Sequence, residues 1–225
     1  MNRSIVKYTL IVVTLLLLLG AIGSISVTAF RVQEIVFIGD RIEATVNEKL
    51  LGGSTIIFPD GKIREQLLRE YPVFEEIRIT KKMPGTILIE PKFREGVAQL
   101  LTQGTAFLLD SRGFVIDIAP SNWNKASIFI DVPVVRLGYS VGDERVEHAL
   151  SFIRLTKDVI SIRSVKLSPD QSHLIASTDG TEIYFSWNSD ETILASTLQS
   201  LIAGFRIKGI TPRVIDIRFN KPLFY

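Results

Sequence analysis

The longest feature of the hydrophobic pattern is a run with no polar face: residues 8–30 contain no Asp, Glu, Lys or Arg, and Lys7 and Arg31 bound them. As a helix rising about 1.5 Å per residue, the run would be roughly 35 Å long, enough to cross a hydrocarbon core about 30 Å thick. An apolar helix without a polar side has no place on the surface of a domain, and buried core helices are usually shorter. Two readings remain, and both export the rest of the chain. In one, residues 1–7 are a cytoplasmic tail and residues 8–30 a retained single-pass transmembrane helix. In the other, Arg3 and Lys7 form the charged start of a cleaved signal peptide, with the small residues from Gly20 to Ala29 as its cleavage zone. The anchor is favoured because Ile22, Ile25, Val27 and Phe30 continue the apolar run past the length a signal peptide needs. Arg3 and Lys7, with no acid beside them, place the N-terminus on the cytoplasmic side.

Beyond Arg31 the pattern switches between the periods of strand and helix. A β-rich run over residues 32–38 ends at Gly39-Asp40, and residues 44–51 carry a short helical pattern closed by Gly52-Gly53. A clearer helix starts at Asp60 as cap, sets Ile63, Leu67 and Tyr71 one per turn, and stops at Pro72. Ile77 and Ile79 alternate with Arg78 and Thr80 in a strand over residues 74–82. A turn at Met83-Pro84-Gly85 then leads to a strand that Pro91 is expected to end at Glu90.

Strands come next at residues 97–101, 106–110 and 114–118, the last two joined through Asp110-Ser111-Arg112-Gly113. Residues 119–125 read as a loop, and a β-rich run over residues 128–132 precedes Pro133. Asp143 opens a helix with the stripe Val146, Ala149, Leu150 and Ile153. Three strands, at residues 162–167, 173–177 and 181–187, lead to a longer helix. That helix starts near Ser189 or Asp190, carries Leu194, Leu198, Leu201, Ile202 and Phe205 on one face, and closes at Gly209. Residues 213–220 finish as a strand in which Ile215, Ile217 and Phe219 alternate with Asp216, Arg218 and Asn220. The sum is an α+β chain: a small strand and helix module, then a mixed β-domain with two helices packed on an antiparallel-rich sheet.

Charge narrows the function classes. Of 26 Lys and Arg against 24 Asp and Glu, only Arg3 and Lys7 precede the apolar run and no acid does, so the exported part balances to zero. Nucleic-acid binding requires a basic stripe to neutralise phosphates, and this chain scatters its charges singly. The absence of cysteine removes disulfides, thiolate metal sites and cysteine nucleophiles. Neither His148 nor His173 belongs to a metal-ligand spacing, no G-x-S-x-G elbow occurs, and Gly61-Lys62 lacks the rest of a phosphate loop. The expectation is therefore an interaction protein rather than an enzyme, with no catalytic residue, cofactor, metal or small-molecule substrate.

The order of strand, helix, helix, strand, strand just after a single anchor resembles the POTRA domain of the FtsQ/DivIB bacterial cell-division proteins. The residues carrying the likeness are Val36-Phe37-Ile38-Gly39, Ile63, Leu67, Pro72, Ile79, Pro84-x-Thr86-Ile87-x-Ile89 and the junction Arg94-x-x-Val97-Ala98. Later, Leu109-Asp110-x-x-Gly113 and the terminal phrase Ile215-Asp216-Ile217-Arg218-Phe219 are again similar to that family. Phe93 and Gly96 stand where the family usually has an acid and a proline. The resemblance implies a POTRA-like domain over residues 31–93 and an FtsQ/DivIB-type β-domain over residues 94–225. It also implies a bitopic scaffold of the divisome at the septum, its C-terminus outside the cell membrane, with single-pass partners of the FtsB and FtsL type docking on the β-domain. The alternative is an exported POTRA-containing adaptor for envelope assembly or secretion without a division role.

A terminal strand has no later segment to pair with, and an open row of backbone groups can accept an incoming strand. That expectation sets Arg213, Ile215, Ile217, Arg218 and Phe219 as the partner-binding residues.

Overall fold

The computed structural model describes residues 12–18, 20, 30–39, 51–219 and 221–225. Residues 12–18 are helical, with exposed valine and leucine side chains. Among the described residues no helix is long and apolar enough to cross a membrane, but most of the run at residues 8–30 lies outside them, as do residues 44–50 of the short helical pattern. The protein is α+β and divides into two compact units, residues 1–70 with 74–93 and residues 71–73 with 94–225.

Among its described residues from Phe30 on, the first unit is a three-stranded sheet with a helix on it. Strands β1 (Glu34–Phe37), β2 (Phe74–Lys82) and β3 (Thr86–Phe93) take the order β1-β3-β2, with β1 parallel to β3 and β2 antiparallel to it. Helix α1 (Asp60–Glu70) packs on β2 and buries Ile63 and Leu67 over a layer that includes Ile77, Ile87 and Ile89. Asp60 is the first helical residue rather than a cap, and its carboxylate lies 3.2 Å from Lys81 Nζ.

β3 also departs from expectation by continuing through Pro91 to Phe93. Pro91 stands opposite Ile77, whose carbonyl turns away from β3 to accept from Arg64 Nε at 3.1 Å. The two therefore form a pair without mutual hydrogen bonds, and the proline nitrogen faces the side where β1 has already ended at the Phe37 to Ile89 pairing. No ladder bond is lost.

The second unit is a nine-stranded mixed sheet covered on one face by two helices. Its strands are β4 (Ala98–Thr102), β5 (Thr105–Leu109), β6 (Val115–Ile118), β7 (Ala126–Phe129), β8 (Ser164–Leu167), β9 (Leu174–Ser177), β10 (Glu182–Phe185), β11 (Val214–Asp216) and β12 (Leu223–Phe224). They run in the order β12-β11-β10-β9-β8-β7-β4-β5-β6. Helices α2 (Glu144–Thr156) and α3 (Glu191–Lys208) pack on each other, and their apolar stripes close a core with Leu100, Ile128, Val165, Leu174, Ile183 and Ile215. Phe152 of α2 stacks on Phe185 of β10 with ring centroids 4.0 Å apart.

Both helices begin on an aspartate whose carboxylate accepts backbone N–H groups of the first turn, Asp143 for α2 and Asp190 for α3. Gly209 ends α3 with φ of 64°, a left-handed cap that a side chain disfavours. β7 starts two residues before the apolar run at residues 128–132, because its position is fixed by parallel pairing with β4 and β8 on either side.

Two segments that carried the family likeness meet in this unit. Arg94 Nη1 lies 2.7 Å from Asp110 Oδ2, and its guanidinium sits 3.8 Å over the Phe114 ring. The other Asp110 oxygen accepts the N–H groups of Arg112 and Phe114, so one carboxylate fixes both the arginine and the turn from β5 to β6.

Candidate partner-binding edge

The sequence places an alternating strand over residues 213–220, and the structure ends that strand early. β11 is three residues long because Asp216 folds the chain back on itself. Its Oδ1 accepts the backbone N–H of Arg218 at 3.1 Å, and both its oxygens take the Arg218 guanidinium at 2.6 to 3.1 Å. A side chain that bonds the backbone two residues on makes a turn, which competes with the ladder.

Freed by that turn, the chain reverses, and β12 returns antiparallel along β11, pairing Ile215 with Phe224 and Asp216 with Leu223. The expected open edge on β11 is thereby corrected: the strand lies between β10 and β12, and both of its sides are paired. Of the five residues expected to bind a partner, Ile215 and Ile217 are core side chains, at 0% and 3% exposed. Arg218 is committed to Asp216, whereas Arg213 and Phe219 are exposed.

The terminal edge of the sheet is instead β12, built from residues outside the expected strand. Val214 and Tyr225 exchange backbone hydrogen bonds at 3.0 and 3.2 Å, so the neighbouring Phe224, opposite Ile215, is a pair without mutual bonds. Its N–H and C=O point away from β11, outward from the sheet. Leu223, Phe224 and Tyr225 along this edge are exposed apolar side chains, and so is Phe219 in the bend that precedes it. Phe224 rests edge-on against Phe205 of α3, with centroids 4.8 Å apart, which fixes the edge to the helix layer. Lys221-Pro222 between Phe219 and Leu223 is the signal that could have revealed this reversal.

Behind the edge, the uncovered face of the sheet carries a polar network that spacing along the chain does not disclose. Arg218 Nη1 lies 3.4 Å from His173 Nδ1, which is also 2.8 Å from the Ser172 hydroxyl. Ser172 and Ser168 both donate to Asp170, closing the turn from β8 to β9. Burial and the neighbouring Arg218 hold the His173 pKa below its ordinary value, and its Nε2 is buried without a hydrogen-bond partner. Hydrogen bonds from Arg218 lower the pKa of Asp216. Tyr184, whose hydroxyl donates to Glu182 at 2.9 Å, is raised by that bond. This arrangement orients Arg218 and pins the chain reversal that creates β12.

Elsewhere, a hollow beside the turn from β4 to β5 is lined by Leu101, Phe129 and Ile130, and its charged group, Asp131, already accepts from Thr102 Oγ1 at 3.0 Å. Among the described residues no three His, Cys, Asp or Glu side chains gather as a metal site.

No protein-family model and no curated protein matches the chain.

Proposed function

We propose that this chain is a bitopic scaffold of the bacterial divisome that captures single-pass partners of the FtsB and FtsL type through the β12 edge, with no catalytic role of its own. The observation carrying this reading is the outward Phe224 N–H and C=O flanked by exposed Leu223 and Tyr225, with exposed Phe219 in the bend before β12. A strand laid on that edge gains backbone hydrogen bonds from Phe224 and apolar contact on alternate residues. The edge is short, and Pro222 supplies no donor, so backbone pairing alone gives little affinity and the aromatic side chains set it. The uncharged run at residues 8–30 supports the membrane placement, with the N-terminus inside and the exported units outside. The α+β order of the first unit supports the POTRA-like assignment and that of the second the FtsQ/DivIB-type β-domain.

Depletion of the protein in its own host tests the division role. Filamentous cells that fail to septate are expected; normal septation would turn the assignment toward an envelope adaptor. Residue choice at the edge comes from the geometry. Arg218→Glu would set two carboxylates side by side at Asp216 and disturb the fold, so Phe219→Lys and Tyr225→Lys are the cleaner probes. Each is expected to weaken capture of the single-pass partner at least tenfold while the melting temperature stays within a few degrees. Unchanged affinity in both variants would remove the edge from the interface.

A further inference from the structure

The end of the first unit that carries Phe30 presents an apolar tip. Of the six exposed large apolar side chains among the described residues of 31–93, four gather there: Leu51, Ile56, Ile57 and Met83. Ile38 and Phe93 lie at the far ends of β1 and β3.

The tip is tied to Phe30, the last residue of the uncharged run, and to the residues just after it by a closed set of hydrogen bonds. Thr55, wholly buried, donates its N–H to the Phe30 carbonyl at 2.7 Å, and its hydroxyl lies 2.9 and 3.0 Å from the carbonyls of Phe30 and Pro84. Val32 and the Gly52-Gly53 segment exchange bonds of 2.7 and 2.9 Å. Gly85 completes the set, because a Cβ there would stand 2.6 Å from the Arg31 carbonyl, so only glycine allows the turn at Met83-Pro84-Gly85 to close on residue 31. The loop holding Ile56 and Ile57 and the turn holding Met83 are thus fixed within a few residues of Phe30.

We infer that this tip is a lipid contact: Leu51, Ile56, Ile57 and Met83 enter the interface of the outer leaflet, with Arg31, Lys81 and Lys82 against the headgroup phosphates. The inference rests on the membrane-anchored reading above. If residues 8–30 cross the bilayer, Phe30 marks the point where the chain leaves it, and whatever is bonded to Phe30 lies at that depth. Ile57 is 82% exposed, and an apolar side chain held at the headgroup boundary is stabilised by burial there. Arg31 stands beside Ser54 in the backbone bridge, and Lys82 precedes Met83. Lys81 is shared with Asp60 and the Ile56 carbonyl, which keeps its ammonium at the base of the tip.

The cysteine-free chain allows a direct test. Full-length protein carrying Ile57→Cys, Leu17→Cys or Glu65→Cys is labelled with an environment-sensitive fluorophore and placed in nanodiscs of phosphatidylcholine and phosphatidylglycerol. Quenching is then compared between lipid-borne nitroxides and aqueous iodide. The label at residue 57 is expected to shift to shorter wavelength and to be quenched by a nitroxide near the headgroup. Residue 17 is expected to be quenched by a deep nitroxide, and residue 65, on the exposed face of α1, by iodide alone. A label at residue 57 quenched only by iodide, with residue 17 still lipid-quenched, overturns the lipid contact and leaves the anchor standing. A blue-shifted label at residue 57 reached by neither quencher assigns the tip to a protein partner and likewise overturns it. Residue 17 quenched only by iodide removes the anchor and the inference together.

Discussion

Single residues fix the places where this chain changes direction, and each has a measurable cost. Thr55 is wholly buried and holds Phe30 and Pro84 together. Thr55→Val keeps the shape and removes the hydroxyl, leaving the Pro84 carbonyl without its donor. The expected loss is about 1 to 2 kcal/mol in denaturant unfolding of the first unit. Arg94→Ala strips the nearly buried Asp110 carboxylate of its guanidinium and takes a donor from the Pro72 carbonyl, with an expected loss of roughly 2 to 3 kcal/mol; no change in the unfolding midpoint would contradict that role.

His173 and Asp216 make the second unit acid-sensitive. The folded-state pKa of His173 lies below its unfolded value of about 6.5, so the unfolded chain takes the proton first. Stability is complete above that value and falls as pH drops through the interval down to the folded pKa. Asp216, also lowered, loses its contribution at more acidic pH, below about 3.9 and on through its folded pKa. His173→Gln is expected to flatten the slope of unfolding midpoint against pH just below about 6.5 and to leave the acid limb from Asp216 in place.

At the scale of elements, periodicity is a good guide wherever one face of an element meets a core. Ile63 and Leu67, one helical turn apart, are both buried in α1, and Leu67→Ala is expected to cost about 2 to 5 kcal/mol, read from the denaturation midpoint of the first unit. A loss under about 0.5 kcal/mol would mean that this face does not carry the packing. The stripes of α2 and α3 and their aspartate caps are legible for the same reason, since helix period and cap chemistry are local.

Most of the features hidden from sequence are non-local. The length of β3 depends on where β1 ends, and the start of β7 on the register of β4 and β8. β11 is cut short by a contact two residues long, Asp216 with Arg218, and alternation of Ile215, Ile217 and Phe219 gives no warning of it. The same reversal moves the candidate site from residues 213–219 to the edge formed by residues 223–225. The network from His173 to Arg218 joins residues 45 apart in the chain, and only the sheet brings them together.

At the scale of the whole molecule, the proposed scaffold joins a membrane anchor to a first unit whose apolar tip meets the bilayer and to a second unit that offers one sheet edge to a partner. The nine-stranded sheet has two ends, β12 and β6, and they differ in chemistry. Residues 113–115 on the outer side of β6 are already bonded to the segment at residues 138–141, and Asp117 beyond them is charged. The β12 end has outward backbone groups beside exposed Leu223 and Tyr225, and exposed Phe219 in the bend that leads to it. Site-specific photocrosslinking in living cells compares the two ends most directly, with a photoreactive amino acid at Tyr225 or at Asp117. Docking on β12 predicts a covalent adduct between residue 225 and a short single-pass division protein, reduced by Phe219→Lys, and none from residue 117. An adduct from residue 117 with no adduct from residue 225 would contradict it.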